Sequence, residues 1–481
     1  MFSPPISSRF SFLTIVSPFV YMRDRVRLTQ VLRVVVAGLV SALSVFLAPP
    51  VQAQPAPEAA PGDTLTLDLA VQQALESNFR IRIARNAATI AENNATLGNA
   101  GFLPVATADG RASQSLANST QEFGDTRQTQ TGVVSTDYNA GAEVRWTVFD
   151  GFQRLATYDQ LQAEEGRQSA QTMQQVEEEV AAVVVAYSDV ARLQQQVAVF
   201  DEAVAISEER LRIARLRKDL GSASDLEVRQ AQVDLNTDRA DRLRIRADLS
   251  DARAQLAQRL GLDGIAAREL AVSEEADIAT DLQEERVQAI AERQSPAVVQ
   301  ARRAVDVAEQ DVAITRGDWF PALDLFGGYS YARTEGGAGF LRFSEVSQFQ
   351  YGASLVFTVF DGFNRSRRQQ NARVRVRTAE FALSDTRAQV VANITGVYER
   401  YATRLQVLDL EQENLDAAAA NVDIALERFR LGTITSVELR EVQEQRIRAE
   451  SRLLDARFEA KRAETELLRL SGQLVGGGPN S

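Results

Sequence analysis

The sequence predicts a mainly helical protein with a small β part, built from two copies of one unit. Three observations carry this: an internal repeat, two long stretches with seven-residue apolar spacing, and two pairs of segments that alternate in polarity. The hexapeptide Thr147-Val148-Phe149-Asp150-Gly151-Phe152 returns 211 residues later as Thr358-Val359-Phe360-Asp361-Gly362-Phe363. The same offset relates Tyr187 to Tyr398, Leu220-Gly221 to Leu431-Gly432, Gln232 to Gln443 and Gly261 to Gly472. A gap would rotate every later residue off a packed helical face, so this register implies long helices lying side by side. Length alone, 481 residues, suggests about three domains. The repeat points instead to one elongated body, with its first copy over 62–285 and its second over 286–473.

Upstream the repeat slips. Phe102-Leu103-Pro104 corresponds to Trp319-Phe320-Pro321 at an offset of 217, six more than downstream. A length difference between the proline and the Phe-Asp-Gly motif predicts a loop there.

Cysteine and histidine are absent, and Lys218 and Lys461 are the only lysines. Disulfides, thiol nucleophiles, Cys/His zinc sites and histidine acid–base catalysis are excluded. A structural or conducting role is therefore expected rather than an enzyme, with no cofactor. Arg23, Arg25, Arg27 and Arg33 precede an apolar run from Val34 to Leu47 and then Val51-Gln52-Ala53. This is the pattern of an export signal over 1–53, with Met22 an alternative start. The run is short for a membrane span. Residues 1–53 hold five arginines and one aspartate, so removing their +4 takes the net charge from −12 to −16. Such a chain is a poor nucleic-acid partner. No other segment could cross a membrane as a helix, so any crossing falls to β-strands closed into a barrel.

Four segments have a period of two. Tyr138, Ala140, Ala142, Val144, Trp146 and Val148 share one face, opposite Asn139, Gly141, Glu143, Arg145 and Thr147. Phe349, Tyr351, Ala353, Leu355, Phe357 and Val359 repeat the pattern. Partner strands are expected over 105–115 and 322–333, with Gly/Ser/Thr/Asn loops over 116–131 and 335–346. Each strand is about the 9–11 residues that a tilted membrane strand needs. Four strands cannot close a barrel, which needs about eight, so more than one chain is required. Pro104 and Pro321 stand where a helix must stop and a strand begin. Asp150 and Asp361 are placed to cap the following helices, with Gly151 and Gly362 easing the bend.

Residues 154–217 contain no proline and predict a rod of roughly 96 Å. Val176, Val183, Val190, Val197, Val204 and Leu211 recur every seven residues, as do Ile394, Tyr401, Leu408, Leu415, Val422 and Phe429. That spacing implies left-handed coiled-coil packing. Each rod ends in a short tip, Leu220-Gly221-Ser222 or Arg430-Leu431-Gly432-Thr433, before helices returning over about 225–260 and 436–471. The exposed Leu and Ile of the tips suit docking of another helical hairpin.

These features together resemble the TolC family of outer membrane efflux proteins over nearly all of the chain after the signal. The motifs are Leu65-Thr66-Leu67 with Ala70, Ala74, Leu75 and Asn78, the two Phe/Pro strand openings, the two Phe-Asp-Gly strand exits and the two Leu-Gly tips. The resemblance implies a homotrimer with a 12-stranded barrel in outer membrane lipid and a helical tunnel reaching into the periplasm. It implies a passive exit duct, coupled through a periplasmic adaptor protein at the tips to an inner-membrane pump. Drugs, other small molecules or polypeptides would be the cargo. It also places acidic residues six and nine positions after the second tip's glycine at the pore constriction, here Glu438 and Glu441, with Glu227 as the first-copy counterpart. Some relatives latch the entrance with a tyrosine and an arginine where this chain has Phe429 and Ile434, so apolar closure is expected. After Gly472 only a short tail follows, expected to be flexible over 474–481. The competing expectation is a periplasmic coiled-coil scaffold without a pore, which would have no use for the alternating hairpins.

Overall fold

The computed structural model describes residues 64–262, 270–273, 277–336 and 342–475, all within one compact unit. The expected export signal lies outside the described residues.

In chain order the elements are α1 (Leu67–Ser77), α2 (Phe79–Asn94), β1 (Val105–Phe123), β2 (Thr126–Phe149), α3 (Gln153–Asp219), α4 (Asp225–Leu260), α5 (Glu284–Gln294), α6 (Pro296–Gly317), β3 (Ala322–Gly336), β4 (Phe343–Val356), α7 (Asn364–Arg430) and α8 (Ser436–Ser471). The two copies are nearly equal in their helices. Both α3 and α7 have 67 residues, both α4 and α8 have 36, and both α1 and α5 have 11. Below the sheet, α4 packs on α3, α3 on α8, and α8 on α7; nearer the strands, α2, α3, α6 and α7 follow in the same way. Gly166 lies inside α3 without interrupting it. No described helix is long and apolar enough to cross a membrane.

The seven-residue stripe is buried at Val176, Val183, Val190, Val204 and Leu211, and at Ile394, Tyr401, Val422 and Phe429. Leu408 and Leu415 are only half-buried. The outer helices carry apolar residues that no other described residue covers: Phe381, Leu410 and Ile424 on α7, Val233 and Leu243 on α4. Short elements form a belt against the long helices. Tyr187 donates its hydroxyl to the carbonyls of Leu65 (2.9 Å) and Ser273 (3.1 Å), and its repeat mate Tyr398 donates to Leu282 (3.2 Å). Leu65 and Leu282 are themselves 217 residues apart, so the belt repeats with the strands rather than with the rods. Beyond Gly472, Leu474 and Val475 are packed rather than free. They sit near Val176 and Val180, and their amides donate to the buried Glu177 carboxylate at 3.3 Å each.

The four strands form one antiparallel sheet in the order β1-β2-β3-β4. Ala106 faces Val144 in the first hairpin; shifting that pair by the copy offsets of 217 and 211 gives Leu323 and Leu355, which face each other in the second. The slip therefore does not sit at the base of the hairpins. It lengthens the first hairpin, whose strands run through residues 116–131, where a loop was expected. That ladder is held by polar cross-strand pairs such as Thr120 with Thr129 (3.2 Å). In the second hairpin β3 ends at Gly336 and β4 starts at Phe343, shortening the expected loop; 337–341 lie outside the described residues. β4 stops at Val356, short of the expected Val359. Its last partner is Ala322, and the residue before that is Pro321, which has no N–H to continue the ladder. β2 reaches Phe149 because it also pairs with β3, Thr147 with Asp324 and Phe149 with Leu323.

Candidate functional site: paired helix tips and an open sheet

Both tips are built the same way. Gly221 and Gly432 take φ of +75° and +74°, a left-handed conformation that glycine adopts without a Cβ penalty. Gly221 N–H donates to Lys218 and Ser222 N–H to Arg217; Gly432 N–H donates to Phe429 and Thr433 N–H to Arg428. This paired closure satisfies the last carbonyls of each rod. The Ser222 and Thr433 hydroxyls add bonds of 3.0 Å to the Arg217 and Arg428 carbonyls. Leu220 and Leu431 are left exposed at 74% and 70%. Arg430 makes only a loose pair with Glu427 at 3.8 Å.

The two tips touch through Arg217. Its guanidinium lies 4.5 Å from the Phe429 ring centre and donates to the Phe429 carbonyl at 2.9 Å. Phe429 is buried among Ala425 and Leu439, with Ile213 and Ile434 beside them. The two positions where a polar latch was considered thus join one apolar cluster within the chain.

Glu438 closes a capping box at the start of α8. Its carboxylate accepts from the Thr435 amide (2.7 Å) and hydroxyl (2.9 Å), and its own amide donates to Thr435 Oγ1. The Thr435 amide first, and the hydroxyl second, hold its carboxyl below the ordinary glutamate range. Glu441 stands one turn along, also exposed. Glu227 occupies the same place on α4, its amide bonded to the Ser224 cap at 3.2 Å. Glu438 and Glu441 therefore share one helix face, and Glu227 belongs to the other hairpin.

A buried ion network just above the tips was not anticipated from the sequence. Arg440 of α8 grips Asp238 of α4 through two bonds of 2.7 Å, and Ser207 of α3 also donates to Asp238. Arg210 pairs with Asp234 at 2.8 Å. The available signal was a break in the repeat: Ser207, Arg210 and Asp238 stand where the second copy has Ala418, Asn421 and Ala449.

At the strand–helix junctions, Asp150 and Asp361 do cap the rods, from two residues further out than a usual cap. Their carboxylates accept from the amides of Arg154 (3.2 Å) and Arg365 (2.8 Å). The formal cap positions, Phe152 and Phe363, are left-handed. Arg154 lies over Phe102 at 5.5 Å and Arg365 over Trp319 at 4.8 Å, tying each rod to its own strand opening. Pro104 and Pro321 directly precede β1 and β3. Pro104 does not end a helix, however: α2 stops ten residues earlier, at Asn94. Gly151 faces the turn of the other copy, where an added Cβ would lie 2.5 Å from the Gly317 carbonyl and 2.7 Å from Phe320 Cβ. Gly362 meets only its neighbour Asn364, at 3.8 Å.

The sheet has one apolar face, and it is exposed. Tyr138, Val144 and Trp146 share it with Leu325, Tyr329, Phe349, Tyr351 and Leu355, each at least 40% exposed. A water-soluble monomer rarely leaves so large an apolar patch open. β1 and β4 each keep an unpaired edge.

A helical layer carrying a sheet that is open at both edges and apolar outside is the architecture of an outer membrane channel subunit. The chain belongs to the outer membrane efflux protein family, whose model matches residues 70–262 and 288–473. It is 22% identical over 416 residues to the outer membrane efflux protein BepC of Brucella suis biovar 1 (strain 1330), covering 85% of this chain and 86% of that one. Among solved structures it resembles the outer-membrane channel OprN (TM-score 0.64, 21% identity, 84% of this chain and 89% of that one). It also resembles the CmeC outer membrane channel of Campylobacter jejuni (TM-score 0.67, 16% identity, 84% and 85%). The protein is thus an outer membrane protein of the TolC-like channel fold.

Proposed function

We propose that three copies close into a channel, with twelve strands forming a barrel in the outer membrane and the long helices forming a tunnel into the periplasm. The channel is the passive exit duct of an export machine. A periplasmic adaptor meets the Leu220-Gly221-Ser222 and Arg430-Leu431-Gly432-Thr433 tips, and an inner-membrane pump supplies the energy. The role is conduction, not catalysis. Its cargo is small molecules or polypeptides.

One observation carries this reading. The copies meet within the chain through β2 with β3 and through Gly151 with the Gly317–Phe320 turn, and among the described residues the same surfaces of β4, Gly362 and β1 are left without partners. A second chain satisfies them in the same register. Ala142 faces Tyr329; shifted by +211 and −217, that pair becomes Ala353 facing Ala112 of a neighbouring copy. Within one chain these residues lie on opposite edges of a four-stranded sheet, about 14 Å apart across the strands. Ala112 stands level with Glu345, so Ala353 is also eight residues, about 26 Å, further along the strand, well beyond disulfide reach. The chain has no cysteine to interfere. Oxidation of the Ala112→Cys/Ala353→Cys variant in membranes is expected to give covalent dimers and trimers, and neither single variant should give trimers. A double variant that stays monomeric on denaturing gels overturns the register.

In the trimer Glu438 and Glu441 form rings of negative charge at the entrance. Glu438→Gln keeps a residue that can close the capping box, so the fold is retained. Glu438→Gln/Glu441→Gln is expected to move the cation-to-anion permeability ratio in planar bilayers toward one. An unchanged ratio removes these residues from the pore.

A further inference from the structure

Midway along α3, the helices α3, α4, α7 and α8 surround a trough of about 910 Å³. Its floor is apolar, with Ala182 and Val185 from α3 and Phe458 and Ala463 from α8. Its rim is basic, with Arg259 on α4 and Arg400 and Arg404 on α7. At 100° per residue, Glu178, Ala182, Val185 and Asp189 of α3 line it about 140° around the helix from Val183, Tyr187 and Val190, which hold the belt. Ala181 and Ala186 also line it, and Ala186, between the two sets, packs against the belt cluster as well.

The charge here runs against the rest of the chain. The protein carries −12 overall, yet five arginines line the trough against four carboxylates. Those carboxylates leave Arg400 and Arg404, the two arginines that α7 contributes, poorly neutralised. Asp189 is held by Arg192 at 2.7 Å and Glu466 by Arg469 at 2.7 Å. Arg259 reaches Glu179 at 3.5 Å, Glu459 reaches Arg404 only at 3.7 Å and Arg462 at 3.8 Å, and Arg400 has no ion-pair partner among the described residues. A guanidinium presents five donors in a fork that matches carboxylate, sulfate and phosphate oxygens, and it is weakly hydrated. A cleft of this volume with an apolar floor and a few convergent polar groups has the dimensions of a small-molecule site.

We propose that the trough binds amphiphilic organic anions, with an apolar ring system on Phe458 and the aliphatic floor and a carboxylate, sulfate or sulfonate head on Arg400 and Arg404. The inference rests on the duct reading for its meaning. Belt segments occupy the other face of the helices, so in a closed ring the trough lines the bore, and the site then names a cargo class.

The test uses the full chain purified in uncharged detergent and titrated calorimetrically with naphthalene-2-sulfonate, with uncharged naphthalene-2-methanol alongside. Single-channel recordings are made on the same preparations. Arg400→Gln/Arg404→Gln is expected to weaken the sulfonate by at least about tenfold, through the loss of both charge-assisted contacts, and to leave the alcohol unchanged. Arg457→Gln, outside the trough, should bind like the parent. Equal sulfonate binding by parent and double variant, or no binding by a parent that still conducts, overturns the site and leaves the duct intact. A parent that binds the sulfonate but carries no current supports the site and counts against the duct alone.

Discussion

Replacing Gly151 by alanine is expected to remove most of the folded protein, and the same change at Gly362 is expected to spare the fold and impair assembly. Both glycines have left-handed backbones, φ +71° and +67°, so each alanine costs about 1–2 kcal/mol in strain. At Gly151 the new methyl also falls 2.5 Å from a carbonyl oxygen and 2.7 Å from Phe320 Cβ. Backbone must move, and overpacking adds about 1–3 kcal/mol. At Gly362 nothing among the described residues obstructs a methyl within 3.8 Å. Its counterpart surface, the Ala100–Leu103 turn, belongs to a neighbouring copy in the proposed ring. Heat-modifiable migration separates the outcomes: little folded protein for Gly151→Ala, folded but unassembled chain for Gly362→Ala. Equal loss in both variants would show that the copies do not meet again between chains.

The second large effect is expected at Asp238. It is 4% exposed and holds Arg440, itself 15% exposed, in a two-pronged bond. Asp238→Ala leaves a largely buried guanidinium with only Glu444, at 2.9 Å, for charge compensation. Orphaning one partner of a buried pair costs about 3 kcal/mol, equivalent to roughly a hundredfold in local opening. Hydrogen exchange across residues 228–242 and 436–446 should accelerate by that order. Adding Arg440→Met should recover part of the protection, because an apolar side chain needs no counter-charge. Unchanged exchange in Asp238→Ala would mean that the pair contributes nothing to holding the hairpins together.

The architecture was legible because it depends on periodicity. Seven-residue spacing and a gapless offset identify the rods, and the two tips follow from a glycine and a hydroxyl cap. Ser224 and Thr435 do accept from the amides of Glu227 and Glu438. The strand limits were less legible. Residues 116–131 are rich in Gly, Ser, Thr and Asn, residues that mark turns. In a hairpin that runs past the lipid both faces can be polar, so the alternation fades while the ladder continues. At the other end, alternation ran past Val356 into Phe357 and Val359, but pairing needs a partner, and Pro321 offers none. The ion network above the tips was hidden for a different reason. Its members come from three helices, Arg210 on α3, Asp234 and Asp238 on α4 and Arg440 on α8, and look like the solvated charges around them. Only the contrast with Ala418 and Ala449 in the other copy sets Ser207 and Asp238 apart. The proposed constriction residues were reached through family resemblance, and Glu438 also has a local structural task as the partner of Thr435.

The unequal hairpins have a consequence for the outer rim of a closed barrel. The first exceeds the second by six residues, three on each limb, or about 10 Å of extra height at 3.3 Å per residue. A ring of three would therefore be crenellated, with three tall prongs alternating with three low ones. Antibodies or bulky probes approaching from the medium would meet the polar segment 117–130 first, before anything in the bore.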